Sequence, residues 1–367
     1  MPLLSVQSVF QRHKEPVYRA LQHAVDSVEM QASSAPSELG TYYGQMKYHL
    51  GWVDEHFQPT NANTGKYLRP TLLLLAYEAA GAVGNEAEND DYLRRALPIA
   101  AAIELTHSFT LIHDDIEDGD EERRHRPTLW NIWGVPQAIN TGDGLFSLAR
   151  MTLWKALDEG VASDVVARLG ILYDRTCLAI TEGQHLDLSF EEHLDIPTQT
   201  YLQVIERKTA ALISCAAEMG AILATSDQTV IERLSRFGHA LGLAFQIRDD
   251  ILGIWATQEE LGKTPAGDIY RRKKSLPIIH ALAHANLADQ QSLHEIYRLR
   301  SGLTEAQVEQ VLTIFERSGT KDFCYSFLEQ QCHIAQDALA SISTHDSPVS
   351  TRALDDLKLL IQFVSHA

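Results

Sequence analysis

Apolar residues recur at three- and four-residue spacing along almost the whole of this 367-residue chain, and strict apolar–polar alternation is nearly absent. That periodicity belongs to α-helices that bury a face, and it speaks against a sheet-based fold. It predicts helices at roughly 16–31, 40–56, 70–83, 91–118, 135–157, 162–189, 198–225, 228–256, 271–287, 304–318, 321–343 and 350–365. Breaks fall where Pro, Gly, Ser and Asn gather, as at Ser33 to Ser37, Gln58 to Asn61, Gly81 to Asn89, Arg126-Pro127, Ile196-Pro197 and Lys263 to Gly267. Several helices are long and apolar on more than one face, as in Ala102 to His113 and Leu212 to Ala224. Such helices sit inside bundles. With no linker, low-complexity segment or repeat in view, the expectation is one all-α domain over 1–367.

A hydrophobic content of 45% supplies a large core, and the net charge of −18 argues against nucleic acid or an anionic membrane as the main partner. Cys177, Cys215, Cys324 and Cys332 are dispersed and read as reduced core thiols. The first residues have no apolar stretch of signal-peptide length, and no segment is apolar for long enough to span a bilayer. These features lead to an expectation of a cytoplasmic protein.

Four acids fall within five residues at Asp114-Asp115-Ile116-Glu117-Asp118, and Arg123-Arg124 follow closely. His107, Leu111, Asp114 and Asp118 share one helical face, because their spacings are four, three and four. Two carboxylates at i,i+4 can share an oxygen-ligated cation such as Mg²⁺. Alone, the segment also reads as a solvated helix end. Acids at a helix C-terminus oppose the dipole, however, which disfavours a purely structural purpose. A second pair, Asp249-Asp250, lies on or near one face with Gln246 and Gly253, while Phe245, Ile247 and Ile251 cover the other faces. Buried neighbouring aspartates need partners, and a metal is a natural one.

Cationic residues accompany the acids. Lys66 and Arg69 precede an apolar helix, Lys208-Thr209 interrupts another, Lys263 lies in a Gly/Pro loop, and Lys273-Lys274 follow it. Each alone reads as a solvated charge. Together they match two diphosphates, and guanidinium forks suit bidentate phosphate contact. Gln184 and Asp187, at i,i+3, add polar groups to a long apolar helix. With Thr209 and Gln246 they would form dipoles in a dry cavity, or ordinary hydrogen bonds inside a bundle.

In combination and in order, Gly65 to Pro70, His113 to Arg124, Gly183 to Leu188, Lys208-Thr209, Phe245 to Asp250 and Gly262 to Lys274 resemble the trans-isoprenyl diphosphate synthases. These polyprenyl synthetases extend allylic diphosphates with isopentenyl diphosphate. The likeness covers about residues 60–280 and is strongest to bacterial short-chain geranylgeranyl and farnesyl diphosphate synthases. It implies the isoprenoid synthase class I fold, long helices around a central cavity, and a homodimer. It also implies Mg²⁺, three per active site with Mn²⁺ as a substitute. Asp114 and Asp118 would bind metal on one side of the allylic diphosphate and Asp249 on the other, supported by Asp115 and Asp250. Arg123, Lys208 and Lys263 would hold the allylic diphosphate. Lys66, Arg69, His107 and Arg124 would hold that of isopentenyl diphosphate, with Lys273 a further substrate-binding residue. Lys208, Thr209, Gln246, Asp187 and Gln184 would form the catalytic set. Ionisation of the allylic C–O bond, condensation and proton loss would follow, with the departing diphosphate taking the proton.

In this family, bulk before the first acidic motif limits product length. Phe109 lies five residues before Asp114, roughly 7 Å down the helix at 1.5 Å per residue, with small Thr110 beside it. One aromatic without an insertion in the motif points to a C20 product, geranylgeranyl diphosphate, with C15 farnesyl diphosphate as the near alternative. Three departures stand out. Gly253 replaces a third acid of the second motif, His125 replaces a common Gly, and the C-terminus lacks a basic tail. Two other readings compete. A class I terpene cyclase would not need Lys66, Arg69, His107 and Arg124. A ferritin-like di-iron bundle would use Glu104-x-x-His107 and Glu182-x-x-His185, but leaves the aspartates and cations unexplained. His280 and His284, at i,i+4 without nearby acids, read as a satisfied or solvated pair.

Overall fold

The computed structural model describes residues 5–31, 36–60, 62, 65–81, 90–190, 193–256, 265–299, 301–343 and 347–366. These are helical almost throughout, as the periodicity predicts. The extended exception is a hairpin of Glu122–Arg123 against Arg126–Pro127. Helices at Val6–Arg12, Leu129–Trp133 and Leu287–Arg298 have no counterpart in the predicted set.

Several predicted helices prove interrupted, each for a local reason. The predicted 91–118 helix is a 3₁₀ turn at Asp90–Arg95 and then an α-helix at Leu97–Glu117, which Pro98 opens in its first turn. The predicted 40–56 helix stops at His49, because Gly51 takes a positive φ of 81° and the chain turns back to bridge Val53 to Pro59. The predicted 271–287 helix begins only at Leu276, with Pro277 in its first turn, and ends at His284. The predicted 198–225 helix contains a π turn at Glu206–Ala210.

The chain folds into two compact units, one drawn from residues 1–174, 216–231 and 343–357, the other from 175–215, 232–342 and 358–367. In the first, the Leu97–Glu117 helix packs most extensively on Val135–Trp154, and also on Leu68–Ala79 and Lys14–Gln31. Leu72, Leu73, Leu74 and Leu75 are all fully buried, so the Leu68–Ala79 helix is enclosed on every side. Burying each such side chain contributes about 1.5–3 kcal/mol. The fully buried Glu78 needs partners. It has Arg12 at 2.6 Å, His13 at 3.1 Å and the Tyr92 hydroxyl at 2.6 Å. Arg12 also reaches Asp356 at 2.6 Å, so both terminal segments of this unit are tied to the helix that Leu68 opens.

In the second unit, Leu276–His284 packs against Thr320–Ala340, Thr198–Ile205, Leu287–Arg298 and Glu305–Arg317. The four cysteine thiols are buried. Among the described residues, no helix is long and apolar enough to cross a membrane.

Candidate active site

In the first unit, the Leu97–Glu117 helix carries His107, Asp114 and Asp115, and Asp118 caps its last turn through an N–H bond of 2.8 Å to the Asp114 carbonyl. Asp114 is half-buried and Asp118 exposed, one above the other as i,i+4 residues. Asp115 points elsewhere. It is buried and accepts a 2.6 Å bond from Arg123 Nε. Burial, opposed by Arg123, pushes the Asp115 carboxyl up to about 6. Among the described residues, no group of three or more His, Cys, Asp and Glu is gathered to hold a metal by itself. Mg²⁺ commonly takes one or two carboxylates and completes its shell with substrate phosphate and water, and the Asp114–Asp118 pair fits that demand.

The hairpin behind the acids turns through Arg124 and His125, with φ of 54° and 63°. Positive φ at both residues marks a type I′ turn, which favours Asn and Gly. His125, which is neither, therefore sits in strained backbone. The turn presses the Arg124 guanidinium against Gly65, 2.8 Å from where a Cβ would stand. Tyr67, between Lys66 and Arg69, is also left-handed at φ 50°. Sparsely populated conformations of this kind gather at ligand sites.

Burial, together with Arg69, Arg124, Arg123 and His49, holds the His107 imidazole well below its ordinary pKa. His107 is thus a neutral ring within reach of several cations. Glu104 is buried near the same arginines: burial raises its pKa, and Arg69 and Arg124 oppose the rise. The di-iron reading loses its two carboxylates here, since Glu104 serves these arginines and Glu182 pairs with Arg207 at 3.5 Å.

Phe109 is buried, and its ring stands edge-on to Phe146 of the Val135–Trp154 helix with centroids 5.0 Å apart. Thr110 bonds back to the His107 carbonyl at 2.8 Å. Phe146 is absent from the residues that the sequence singles out. No local pattern marks it, because its pairing with Phe109 arises only from helix packing.

The second unit holds the remaining polar residues. Asp250 is fully buried and has four partners. Its Oδ2 accepts from the Tyr201 hydroxyl and from the Leu276 N–H at 3.1 Å, its Oδ1 accepts from Gln246 Nε2 at 3.1 Å, and Lys273 Nζ lies 3.6 Å away. Gln246 Oε1 in turn accepts from Thr209 Oγ1 at 2.9 Å. Asp250 thus fixes a chain of dipoles ending at Thr209. Asp249 differs: its side chain is 45% exposed, and Arg248 lies 3.9 Å from it. Burial of its surroundings, partly offset by Arg248, pushes its carboxyl up to about 6. Arg248 is itself held by the Phe363 ring at 4.7 Å and the His366 carbonyl at 3.2 Å.

Lys208 Nζ bonds Asp187 Oδ2 at 2.6 Å. Lys208 lies within the π turn, a feature that often marks functional sites. Gly183 packs against that turn, and a Cβ there would run into the Lys208 backbone nitrogen. The glycine is required by this close approach. Gln184, one residue on, is half-buried. Lys273 lies between Asp250 and Asp268, 3.7 Å from the latter. The Asp268 carboxylate fills the space that a side chain on Gly253 would need. Lys263 lies outside the described residues.

The sequence model of the polyprenyl synthetase family matches residues 51–315, which includes segments of both units. The chain is 39% identical to a geranylgeranyl diphosphate synthase of Mycobacterium tuberculosis over 272 residues, 74% of each chain. It is 37% identical to a (2E,6E)-farnesyl diphosphate synthase of Mycobacterium bovis over 309 residues, 83% of this chain and 82% of that one. The crystal structure of a polyprenyl synthetase from Streptomyces coelicolor aligns with a TM-score of 0.83 at 32% identity, covering 98% of this chain and 99% of that one. The chain belongs to the polyprenyl synthetase family.

Proposed function

We infer that the protein is a short-chain prenyltransferase. It joins isopentenyl diphosphate to dimethylallyl, geranyl or farnesyl diphosphate and releases diphosphate. The main product is geranylgeranyl diphosphate, with farnesyl diphosphate as the shorter alternative. The observation that carries this reading is the cationic cluster around His107. Arg69 and Arg124, with Arg123, act on the same half-buried imidazole, two turns before the acids on the Leu97–Glu117 helix. A cyclase has one diphosphate to hold, whereas a condensing enzyme has two. The names of the relatives, geranylgeranyl and farnesyl diphosphate synthase, support the chain length.

Within this reading, Lys66, Arg69, His107 and Arg124 bind the diphosphate of isopentenyl diphosphate. Arg123, Lys208 and Lys263 bind that of the allylic substrate, with Lys273 behind Asp250 and Asp268. Asp114, Asp118 and Asp249 are the residues that would hold the divalent metal, Mg²⁺ with three ions per site and Mn²⁺ as a substitute. When bound, such ions stabilise negative charge on a leaving diphosphate. Asp115 orients Arg123, and Asp250 orients Gln246 and Thr209. These dipoles, with Asp187 and Gln184, face charge developing on the allylic carbon without offering a competing nucleophile. Phe109 and Phe146 together close the tail channel.

A cytoplasmic homodimer acting through a single catalytic domain completes the reading. Exposed apolar side chains at Val135, Ile139, Met151, Trp154 and Ile171 support self-association. The test of function is diphosphate release with Mg²⁺ and farnesyl diphosphate, with and without isopentenyl diphosphate. Release only when both substrates are present supports condensation. Release from the allylic substrate alone would instead mean cyclisation or hydrolysis.

A further inference from the structure

We propose that His49 is a further binding residue for the diphosphate of isopentenyl diphosphate. The proposal rests on the assignment of Arg124 and His107 to that diphosphate. His49 ends the Glu38–His49 helix, well before any of the family's motifs. That helix end is pinned to the hairpin that carries Arg123 and Arg124. The Tyr48 hydroxyl donates to the Pro127 carbonyl at 2.8 Å, Arg126 Nη1 donates to the Tyr48 carbonyl at 3.1 Å, and the Arg126 guanidinium covers the Tyr48 ring at 4.0 Å. His49 then lines one pocket with Leu111, Asp115, Arg123 and Arg124.

Three arginines are concentrated around this pocket. Arg123, Arg124 and Arg126 all act on the His49 ring, and His107 lies within electrostatic reach. Acids stand near them too: Asp115 pairs with Arg123, Glu104 feels Arg69 and Arg124, Asp54 feels Arg126, and Asp114 and Asp120 act on Asp115. Among the described residues, Arg124 forms no ion pair with a carboxylate, and it shares the pocket with His49, so a diphosphate held by Arg124 would also lie beside that ring. Arg123 acts on His49 as well, but Arg124 and His107, both of the isopentenyl set, act on or lie near the same ring.

Burial, then Arg123, Arg124 and Arg126, push His49 down to about 3, so the ring is neutral near pH 7. That suits the position. Another fixed positive charge among three arginines would repel them, whereas a neutral imidazole adds one N–H donor. The Ser108 carbonyl is its partner in the protein alone. A charged phosphoryl oxygen is a stronger acceptor and would compete for that donor.

The test is steady-state kinetics of the full-length enzyme with Mg²⁺, comparing His49→Ala, His49→Gln and Lys66→Ala. A hydrogen bond to a charged group predicts that His49→Ala raises KM for isopentenyl diphosphate about tenfold. KM for farnesyl diphosphate should stay as it was, and His49→Gln, which keeps an N–H donor, should recover most of the loss. An unchanged KM for isopentenyl diphosphate would overturn the proposal, as would a rise confined to farnesyl diphosphate. Equal loss in both substrates with a lowered Tm and no recovery by Gln would assign His49 a structural role and overturn it too. If Lys66→Ala also leaves KM for isopentenyl diphosphate unchanged, the underlying site assignment fails as well.

Discussion

The rings of Phe109 and Phe146 meet edge-on, with centroids 5.0 Å apart, although they come from helices separated by a hairpin and a short helix. If a growing isoprenoid chain runs along the Leu97–Glu117 helix, it would meet two aromatics where one was legible. Phe109→Ala should give products at least one isoprene unit longer, and Phe146→Ala a change in the same direction. Chromatography of the dephosphorylated products reads this out. Unchanged chain length in both variants would place the floor elsewhere. Truncating the buried Phe109 should also cost about 3–5 kcal/mol of stability.

Asp249 and Asp250 are neighbours with different tasks. Asp249→Ala and Asp114→Ala should abolish Mg²⁺-dependent turnover with Tm nearly unchanged, because neither side chain is buried. Asp250→Ala should lower stability by about 3–5 kcal/mol, since it strands Tyr201, Gln246, Lys273 and the Leu276 N–H. Thermal melts beside activity assays separate the two. Equal Tm losses at 249 and 250 would contradict this division.

Gly253 invites repair to an acid, yet Asp268 already occupies that space. Gly253→Asp should fail to strengthen Mg²⁺ dependence. It should also destabilise the enzyme by about 1–3 kcal/mol through crowding and like charge. An Mg²⁺ titration of activity, with Tm alongside, checks both. Tighter Mg²⁺ dependence at an unchanged Tm would show that the site has room for the acid.

His280 accepts or donates a 2.9 Å bond with Thr320 and stacks on Phe323 at 4.1 Å. Burial, with His284, pushes its pKa from 6.5 down to about 4. The unfolded chain therefore binds more protons between those values. Stability from the neutral ring is present above about pH 6.5 and is lost as pH falls towards 4. Urea melts at pH 7 and pH 5 should show a fall that His280→Gln reduces by about 1–2 kcal/mol after solvent screening. An identical pH dependence in the variant would contradict the shift.

The helical class and both acidic motifs were legible because they are local: periodicity, i,i+4 spacing and proline placement lie within single segments. The π turn at Glu206–Ala210 was not, since Lys208-Thr209 looks like an ordinary interruption of an apolar helix until Gly183 is seen against it. Tyr201 carries no local signal, because its bond to Asp250 spans 49 residues of sequence. His49 carried no motif at all. Asp115 and Asp250 were legible as acids but not as anchors, because their partners Arg123 and Tyr201 are brought in by tertiary packing.

The most direct test is to incubate the full-length enzyme with isopentenyl diphosphate, Mg²⁺ and, separately, dimethylallyl, geranyl and farnesyl diphosphate, and then to size the products. The expectation is elongation from all three primers, stopping mainly at the C20 diphosphate, and no elongation without Mg²⁺. Absence of any elongated product, or products running well beyond C20 from the unaltered enzyme, would contradict it.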